Sequence, residues 1–315
     1  MAEQSQPPVP IGGSKPFKTP EHLHISEAVK QAMDVIEKRR RGLLMGLKTP
    51  WKKLNRTIGG GIQRASQYVI AGRSGVGKSA FVNLLIKGLF ENNPKEKITV
   101  LYFNFEMPSY SQVIRKLSNE LSVPVSKLLS ADMSLNEELY KKVGELKDKL
   151  SSFNIYFVDI PLNVTQIYAK IKEFKGYFPD AHLVNVFDHS RLVTTENEKD
   201  EMVKIGRLSK MCMYVKKEIG CSNIVVSQLN RNIEAPERAR TQYEPMASDI
   251  FGADSLFQDA DVVLVPHRPE TYRIERYFDW DTKDFIALHV LKNRDGETGI
   301  IPFKHDLSIN KVEEI

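Results

Sequence analysis

Residues 72 to 79 have the types and spacing of a phosphate-binding loop. Glycines in such a loop let backbone N–H groups approach phosphate oxygens closely, and a helix that begins where the loop ends directs the positive end of its dipole at the same anion. We predict that Lys78 contacts the β- and γ-phosphates of a nucleoside triphosphate and that the Ser79 hydroxyl ligates Mg²⁺. The loop matches the pattern G-x-x-x-x-G-K-[ST] without a substitution, as Gly72, Arg73, Ser74, Gly75, Val76, Gly77, Lys78 and Ser79, with Ala80 following.

The segments on either side of this phosphate loop have the patterns that it requires. Gln67 to Ala71 is a short apolar run, which predicts a buried strand before the loop. Ala80 to Phe90 carries apolar residues at helical spacing, which predicts a helix after it. A glycine-rich turn that binds nothing is the alternative, and the agreement of strand, loop and helix argues against it.

Strand and helix patterns alternate over most of the remaining chain. This alternation predicts an α/β fold with a mostly parallel, twisted sheet and helices on both faces. Residues that can cap a helix occur at Ser134, three positions before Glu137, and at Thr165. Strands are predicted at 98–105, 155–158, 183–187, 223–226, 260–265 and 285–290, and helices at 109–121, 134–150, 165–177 and 202–219.

Polar side chains lie within two residues of the ends of three of these predicted strands. Reactive groups of parallel α/β enzymes lie at the carboxyl ends of the strands, so these three should meet the phosphate loop at one edge of the sheet. Glu106 is placed to polarise water for attack on a γ-phosphate, Asp188 fits a carboxylate that holds Mg²⁺, and Gln228 is placed to sense the γ-phosphate. An ordinary surface residue at a strand end is the alternative for each.

The N-terminal part of the chain divides into two segments. Residues 1–18 are rich in proline, glycine, serine and glutamine, which is typical of a disordered arm. Residues 19–48 are predicted to form a linker helix and a connector, with Thr19 as the N-cap, Pro20 in the first turn and Arg41 at the end of the helix. We expect the apolar stripe of this helix to pack either on the chain's own domain or on a neighbouring subunit. The stripe consists of Ile25, Val29, Ala32, Met33 and Ile36.

The composition excludes several classes of protein. The hydrophobic fraction of 41% is ordinary for a globular chain, and no apolar run approaches the ~18 residues of a membrane span. The first residues lack the pattern of a secretory signal, and the two cysteines, Cys212 and Cys221, have no metal-ligand spacing. We therefore expect a cytoplasmic protein with reduced thiols. The net charge of +5 is compatible with a polyanionic partner but does not by itself indicate one.

Five further blocks of sequence carry a resemblance to a known family. They are 105–109 (FEMPS), 227–231 (SQLNR), 258–263 (QDADVV), 267–269 (HRP) and 292–299 (KNRDGETG). In order and spacing they resemble the DnaB-type replicative helicases, which are hexameric ring ATPases with a RecA-like P-loop NTPase core. The resemblance extends over residues 49–315, which are expected to form this domain. RecA-type recombinases share the phosphate loop but not the later blocks.

The resemblance implies an ATP-driven ring translocase that unwinds duplex DNA during replication by moving on single-stranded DNA. It places the family's catalytic glutamate at Glu106, its Mg²⁺-site aspartate at Asp188 and its γ-phosphate-contacting glutamine at Gln228. It also implies that Lys292 and Arg294 enter the site of the neighbouring subunit, where a cation neutralises charge on the transferred phosphoryl group. Without the resemblance, these two residues would be interpreted as a solvated basic loop. The implied partners are ATP, Mg²⁺, single-stranded DNA, other copies of this chain in a homo-hexamer, and a primase or helicase loader.

Two departures from the family pattern affect these expectations. The family's N-terminal helical domain has no counterpart in this sequence, in which the linker helix alone precedes the core. The DNA-gripping loop, which usually carries an arginine, here contains Phe251, Gly252 and Ala253. We therefore expect this loop to contact DNA through backbone N–H groups and through stacking of Phe251 on a base. Arg231 and Arg191 are further candidates for linking the nucleotide to DNA.

Two alternative functions stay open on the sequence. A RecA-type recombinase would form an open filament, which differs from a ring in that the rotation between subunits does not close. A regulatory ATPase subunit would assemble with other copies and unwind nothing. The missing arginine near Phe251 and the missing N-terminal domain both favour the regulatory subunit, whereas the blocks from residue 258 onward favour the ring.

Overall fold

The computed structural model describes residues 22–43, 45–132, 135–188 and 200–315. The chain divides into two compact units, of which the first ends at Met45 and the second spans Gly46–Ile315. The predicted arm 1–18, the predicted caps Thr19 and Ser134, and the candidate Arg191 lie outside the described residues.

The described part of the first unit contains the helix α1 (Ile25–Arg40). Its N-cap is His24, whose ring accepts a hydrogen bond from the backbone N–H of Ser26. The prediction that the helix begins at Pro20 is wrong, because residues 22–24 are not helical. Histidine is not among the preferred N-caps, so the sequence pattern did not indicate this start. The helix has no buried residue, and its large exposed apolar side chains include Ile25, Val29, Met33 and Ile36.

The second unit alternates helices and strands. Its helices are α2 (Lys52–Thr57), α3 (Lys78–Glu91), α4 (Ser109–Leu121), α5 (Val125–Leu128), α6 (Glu137–Ser151), α7 (Val164–Tyr177), α8 (Glu201–Ile219) and α9 (Ala253–Asp259). Its strands are β1 (Gln67–Gly72), β2 (Ile98–Asn104), β3 (Ile155–Val158), β4 (His182–Asp188), β5 (Ser222–Gln228), β6 (Val262–His267), β7 (Arg276–Tyr277), β8 (Trp280–Asp281), β9 (Phe285–Asn293), β10 (Gly299–Asp306) and β11 (Lys311–Glu314). Of the helices in the part of the chain that the structure describes, none has both the length and the hydropathy needed to span a bilayer.

Nine of the described strands form one sheet, in the order β11-β10-β9-β6-β1-β5-β4-β2-β3. The strands from β6 to β3 in this order are parallel, which confirms the predicted mostly parallel sheet. By contrast, β9, β10 and β11 are added beside β6 in antiparallel orientation. The sequence pattern had predicted part of β9 and had predicted neither β10 nor β11.

Both faces of the sheet are covered, which explains the continuous apolar runs of its central strands. Every residue of β1, β2, β4 and β6 is buried. Tyr68 and Ile70 of β1 pack in the core that includes α3, whereas Val69 and Ala71 pack in the core that includes α7 and α8. Strands buried on both faces show no alternation of apolar and polar residues. The position of β1 is thus fixed from both sides.

Two helix starts differ from the predicted caps. Asn136, rather than Ser134, is the N-cap of α6, because its side chain accepts a hydrogen bond from the N–H of Leu139. Asn163, rather than Thr165, caps α7. Asparagine caps a helix as well as serine or threonine does, so two such residues close together leave the start of a helix ambiguous in sequence.

A lysine is buried between α3 and α4. Lys116 is 4% exposed, its amino group donates to Oδ1 of Asn83, and it lies 6.0 Å from the ring centre of Phe157. Gln112 continues this polar cluster, since it accepts from Nδ2 of Asn83 at 2.7 Å and donates to Oδ1 of Asn104 at 3.2 Å. Burial lowers the pKa of Lys116 from 10.5 to about 7.

The substitution Lys116→Met should remove a pH-dependent part of the stability. Between pH 7 and 10.5 the unfolded chain binds more protons at this lysine than the folded chain does. The free energy of unfolding of the wild type therefore rises with pH, by at most about 1.4 kcal/mol per pH unit from this group. In urea unfolding, the stability of Lys116→Met relative to the wild type should fall as the pH rises above 7, whereas the exposed control Lys141→Met should show no such trend. Stabilities of Lys116→Met and wild type that change in parallel with pH would contradict a titrating buried lysine.

Candidate functional site

The structure brings the predicted strand-end residues together at the carboxyl edge of the parallel strands. Gly72 on β1 pairs in register with Gln228 on β5, and Asn104 at the end of β2 pairs with Asp188 on β4. The strands β1, β5, β4 and β2 are consecutive in the sheet. Since neighbouring strands lie about 4.8 Å apart, these positions and Glu106, two residues beyond β2, form one continuous edge.

The backbone of the phosphate loop requires glycine at two positions. Gly75 and Gly77 have φ values of +79° and +97°, in the left-handed region that other residues rarely adopt. Gly77 is also the N-cap of α3, so the helix begins at Lys78. A Cβ atom on Gly77 would lie 2.9 Å from a methyl carbon of Leu307. The loop therefore presents the N-terminal end of α3 at the edge of the sheet, where an anion is stabilised by the helix dipole.

The amino group of Lys78 is held inside the loop. It donates to the carbonyl oxygens of Gly72 and Arg73, each at 2.8 Å. Burial lowers the pKa of Lys78 to about 8, and the carboxylates of Asp188 and Glu106 oppose this shift. An anion bound in the loop would act in the same direction as these carboxylates and favour the charged ammonium.

Asp188 is a buried carboxylate with a defined partner. The Tyr102 hydroxyl donates to its Oδ2 atom at 2.9 Å, and its backbone carbonyl accepts from the N–H of Phe105 at 2.8 Å. Burial raises the pKa of Asp188; the hydrogen bond from Tyr102 opposes this, and the nearby Glu106 carboxylate adds to it. Tyr102 was not predicted as a site residue, because an aromatic residue within an apolar strand is typical of the core.

Glu106 and Gln228 are more accessible than Asp188. Glu106 is exposed on the short loop between β2 and α4, and this loop is anchored where the Ser109 N–H donates to Oδ2 of Asp159 at 3.0 Å. Gln228 is half-buried at the end of β5, and its backbone carbonyl accepts from the N–H of Phe251 at 2.9 Å. Hydrogen bonds thus hold the backbone segments that carry these two side chains.

Two arginines make side-chain contacts at the phosphate loop that the sequence did not predict: Arg73, which is part of the loop, and Arg268, which was missed as a contributor to the site. The side chain of Arg73 donates to Oε1 of Glu234 at 2.7 Å and to the carbonyl of Leu229 at 3.1 Å. Arg268 donates to the carbonyl of Gly75 at 3.0 Å. Arg268 belongs to the sequence block 267–269, and this block was the signal that could have marked it as a site residue. No local signal could predict the contacts of Arg73, because they join distant parts of the chain.

Lys292 lies at the opposite edge of the sheet, where the parallel strands begin. It is part of β9, which runs antiparallel to β6, and it pairs with Val263 near the start of that strand. Its amino group donates to the carbonyls of Phe257 and Gln258, at the carboxyl end of α9, at 2.7 and 2.8 Å. The interpretation as a solvated loop is therefore wrong for this residue, which is ordered by strand pairing and by the negative end of a helix.

Arg294 lies at the same opposite edge. Its Nη1 atom is 3.1 Å from Oδ1 of Asp261, whose other oxygen accepts from the N–H of Gln67, the first residue of β1. The phosphate loop follows the other end of this six-residue strand, about 17 Å away at 3.3 Å per residue. Arg294 is therefore remote from the phosphate loop of its own chain.

The candidate DNA-contacting loop faces partly inward. Phe251 is half-buried, packs against the core that includes α8, and donates its N–H to Gln228. This packing leaves only part of the ring accessible, so stacking of Phe251 on a base stays a prediction. Gly252 has a φ of +80° and caps α9, which begins at Ala253. Arg231 is exposed and opens a short 3₁₀ helix.

A family model of the DnaB-like helicase C terminal domain matches residues 46–314. The chain belongs to the DnaB-like helicase family. The resemblance drawn from the sequence blocks is thereby confirmed.

Similar curated proteins cover most of this chain. They include the replicative DNA helicases DnaB of Geobacillus stearothermophilus, with 29% identity over 296 residues, and DnaC of Bacillus subtilis, with 28% over 293. A probable replicative DNA helicase of Trieres chinensis has 27% identity over 277 residues. The first two alignments cover 91% of this chain and 61% of the relative, and the third covers 87% and 58%. The chain thus spans about three fifths of the length of these relatives.

Solved structures share the fold. One of them, a separately solved ATPase domain, has a TM-score of 0.81 at 23% identity, over 94% of this chain and all of that one. A DnaB-like replicative helicase, whose structure was solved with its interactions with primase, has a TM-score of 0.78 at 23% identity, over 93% of this chain and 67% of that one. These likenesses confirm the predicted RecA-like α/β fold.

Proposed function

We propose that this chain is the ATP-hydrolysing motor of a ring-shaped replicative helicase, which moves on single-stranded DNA and separates the duplex. Family membership supports the activity, and one observation supports the ring arrangement. The phosphate loop and Asp188 lie at one edge of the sheet, and Arg294 lies at the other. A site that uses both edges needs two subunits, and a closed ring gives every subunit a neighbour at each edge.

ATP would bind with its phosphates in the phosphate loop. The ammonium of Lys78 would exchange its hydrogen bonds to loop carbonyls for hydrogen bonds to phosphate oxygens, at no loss of partners. Ser79 in the first turn of α3 and Asp188 at the same edge offer a hydroxyl and a carboxylate, which are oxygen ligands that suit Mg²⁺. The residues present therefore fit the ion, which when bound neutralises charge on the phosphates.

Hydrolysis would use Glu106 and Gln228 at the same edge, together with two cations of the neighbouring subunit. We assign to Glu106 the orientation of the attacking water and the removal of its proton. Gln228, in register with Gly72, would contact the γ-phosphate. Lys292 and Arg294 would stabilise the transferred phosphoryl group of the neighbouring subunit, because arginine is always charged and presents a planar fork of donors.

DNA contact is proposed for the segment that follows β5. Exposed Arg231 supplies a cation, and backbone groups around Gly252 remain the second candidate, since Phe251 packs inward. The mildly basic net charge of +5 agrees with a polyanionic partner. We further propose a homo-hexamer that works in the cytoplasm with a primase or a helicase loader; one structural relative is described with primase.

Glu106→Gln should bind ATP with nearly wild-type affinity and hydrolyse it about 100-fold more slowly or worse, because an amide cannot accept a proton from water. Lys78→Ala should lose hydrolysis and most of the binding, since the cation on the phosphates is removed. Steady-state ATPase rates and fluorescence binding of an ATP analogue measure both effects, with the exposed Glu145→Gln as a control. Normal turnover in Glu106→Gln would remove that residue from the catalytic role. A wild type that hydrolyses ATP but separates no forked duplex would support the regulatory alternative.

Arg294→Ala should assemble, bind ATP and hydrolyse it about 10³-fold more slowly, as expected for loss of an arginine supplied by another subunit. Mixing gives the sharper measurement. Arg294→Ala subunits keep an intact phosphate loop, and Lys78→Ala subunits keep an intact arginine, so mixed rings should recover some ATPase activity that neither variant shows alone. If mixed oligomers form and no activity returns, Arg294 does not act across the interface.

We also propose that α1 is an assembly element whose exposed stripe docks on the next subunit. The stripe leaves four large apolar side chains between 52% and 70% exposed. Deleting residues 1–42 should leave a folded second unit that no longer forms the ring, whereas deleting the arm 1–18 alone should leave assembly intact. Light scattering distinguishes the two results, and an unchanged oligomer after the longer deletion would refute the idea.

A further inference from the structure

Arg73 joins the phosphate loop to the segment that follows Gln228. Its Nε atom donates to Oε1 of Glu234 at 2.7 Å, and its Nη1 atom donates to the carbonyl of Leu229 at 3.1 Å. The backbone adds a third hydrogen bond, from the N–H of Leu229 to the carbonyl of Gly72 at 3.3 Å. Arg73 and Glu234 are 161 positions apart in the sequence, and they bring two distant parts of the chain into direct contact.

The segment held by Arg73 is closed at its base. Leu229 and Ile250 form an antiparallel bridge, and the N–H of Asn230 donates to the carbonyl of Asp249 at 2.7 Å. The guanidinium of Arg238 contacts both carboxylate oxygens of Asp249 at 3.0 Å. We call residues 229–250 the braced loop, since these contacts join its two ends and fix part of its interior.

The candidate DNA-contacting residues are attached to this braced loop. Arg231 begins the 3₁₀ helix that ends at Glu234, so the exposed cation and the carboxylate that Arg73 binds share one short element. Phe251 follows the braced loop directly and is bonded to Gln228 through its N–H. Arg73 is therefore linked to both candidates by hydrogen bonds and short stretches of backbone.

The position of Arg73 depends in turn on the nucleotide site. Lys78 donates to the carbonyl of Arg73 in the phosphate loop, and a bound phosphate would draw that ammonium away. The Arg73–Glu234 ion pair is 21% and 43% exposed at its two side chains, and ion pairs this accessible contribute little to stability. Stability alone therefore does not explain why the loop is connected in this way.

We propose that Arg73 and Glu234 couple the nucleotide state of the phosphate loop to binding of single-stranded DNA by the braced loop. The inference rests on the proposed function, because it takes DNA as the ligand. Coupling of this kind is reciprocal: if ATP tightens DNA binding by some factor, DNA tightens ATP binding by the same factor. Arg73 and Glu234 are positioning residues in this account, since they act through the segments that they connect.

The test compares Glu234→Ala with Glu237→Ala, which removes the same charge three residues further on at another exposed position. Fluorescence anisotropy of a labelled oligothymidylate, with ADP and with a non-hydrolysable ATP analogue, gives the factor by which the nucleotide changes DNA affinity. We expect the wild type and Glu237→Ala to show a factor of about five or more. Glu234→Ala should bring the factor close to one while its ATPase rate without DNA stays within about two-fold of the wild type, since Glu234 has no role in the proposed nucleotide binding or hydrolysis.

A double substitution tests whether Glu234 acts through its contact with Arg73. In an Arg73→Ala background, Glu234→Ala should have no further effect on the factor, because the contact is already lost. A Glu234→Ala protein that keeps the wild-type factor would overturn the inference, and so would additive effects of the two substitutions. Failure of the proposed function is recognised separately: a wild type that binds no oligothymidylate contradicts both before any variant is made.

Discussion

The burial of β1 between two apolar cores, one of which includes α3, is the constraint on which the candidate site depends. The strand is in register with β5 on one side and β6 on the other, and its side chains alternate between the two cores. The chain can therefore leave β1 only at the edge of the sheet, where two glycines in the left-handed region turn it into α3. The hydrophobic effect is non-directional. Through the burial of β1 it nevertheless determines where the backbone N–H groups of the phosphate loop and the ammonium of Lys78 point.

The same sheet separates the two kinds of charge that phosphoryl transfer needs. Carboxylates and the phosphate loop lie at the carboxyl edge because parallel strands end together there. The antiparallel strand β9 ends at the other edge, and it carries Lys292 and leads to Arg294. In the single subunit these cations contact α9 carbonyls and Asp261. Their separation from the phosphate loop of their own chain is the observation on which the proposal of a site at the subunit interface rests.

Local patterns in the sequence were sufficient for the parallel core. The phosphate loop, the strands around it and the residues at the strand ends follow from short runs of residues whose meaning depends on their immediate neighbours. The start of α1 at His24 was missed because histidine is not a preferred N-cap. The caps Asn136 and Asn163 were missed because neighbouring polar residues can each begin a helix. β10 was missed because Pro302 lies within it, and proline argues against a central strand.

Contacts between distant segments were out of reach of the sequence. Tyr102 reads as a core aromatic until β4 places Asp188 beside it, and Arg73 reads as a variable loop residue until Glu234 is in contact with it. Likewise Lys116, Asn83 and Gln112 are polar residues on helices that show no sign of mutual contact in sequence. Each role depends on which elements the fold brings together, and only the resemblance to a family supplied such information for Lys292 and Arg294.

The central claim is that one subunit holds an incomplete site and that the neighbour completes it. The most direct measurement is the ATPase rate per subunit over a dilution series, with the mass of the particles recorded at each concentration. The account predicts that the rate per subunit falls in step with dissociation of the ring and is lost in the monomer. A monomer that hydrolyses ATP at the rate of the assembled protein would contradict it.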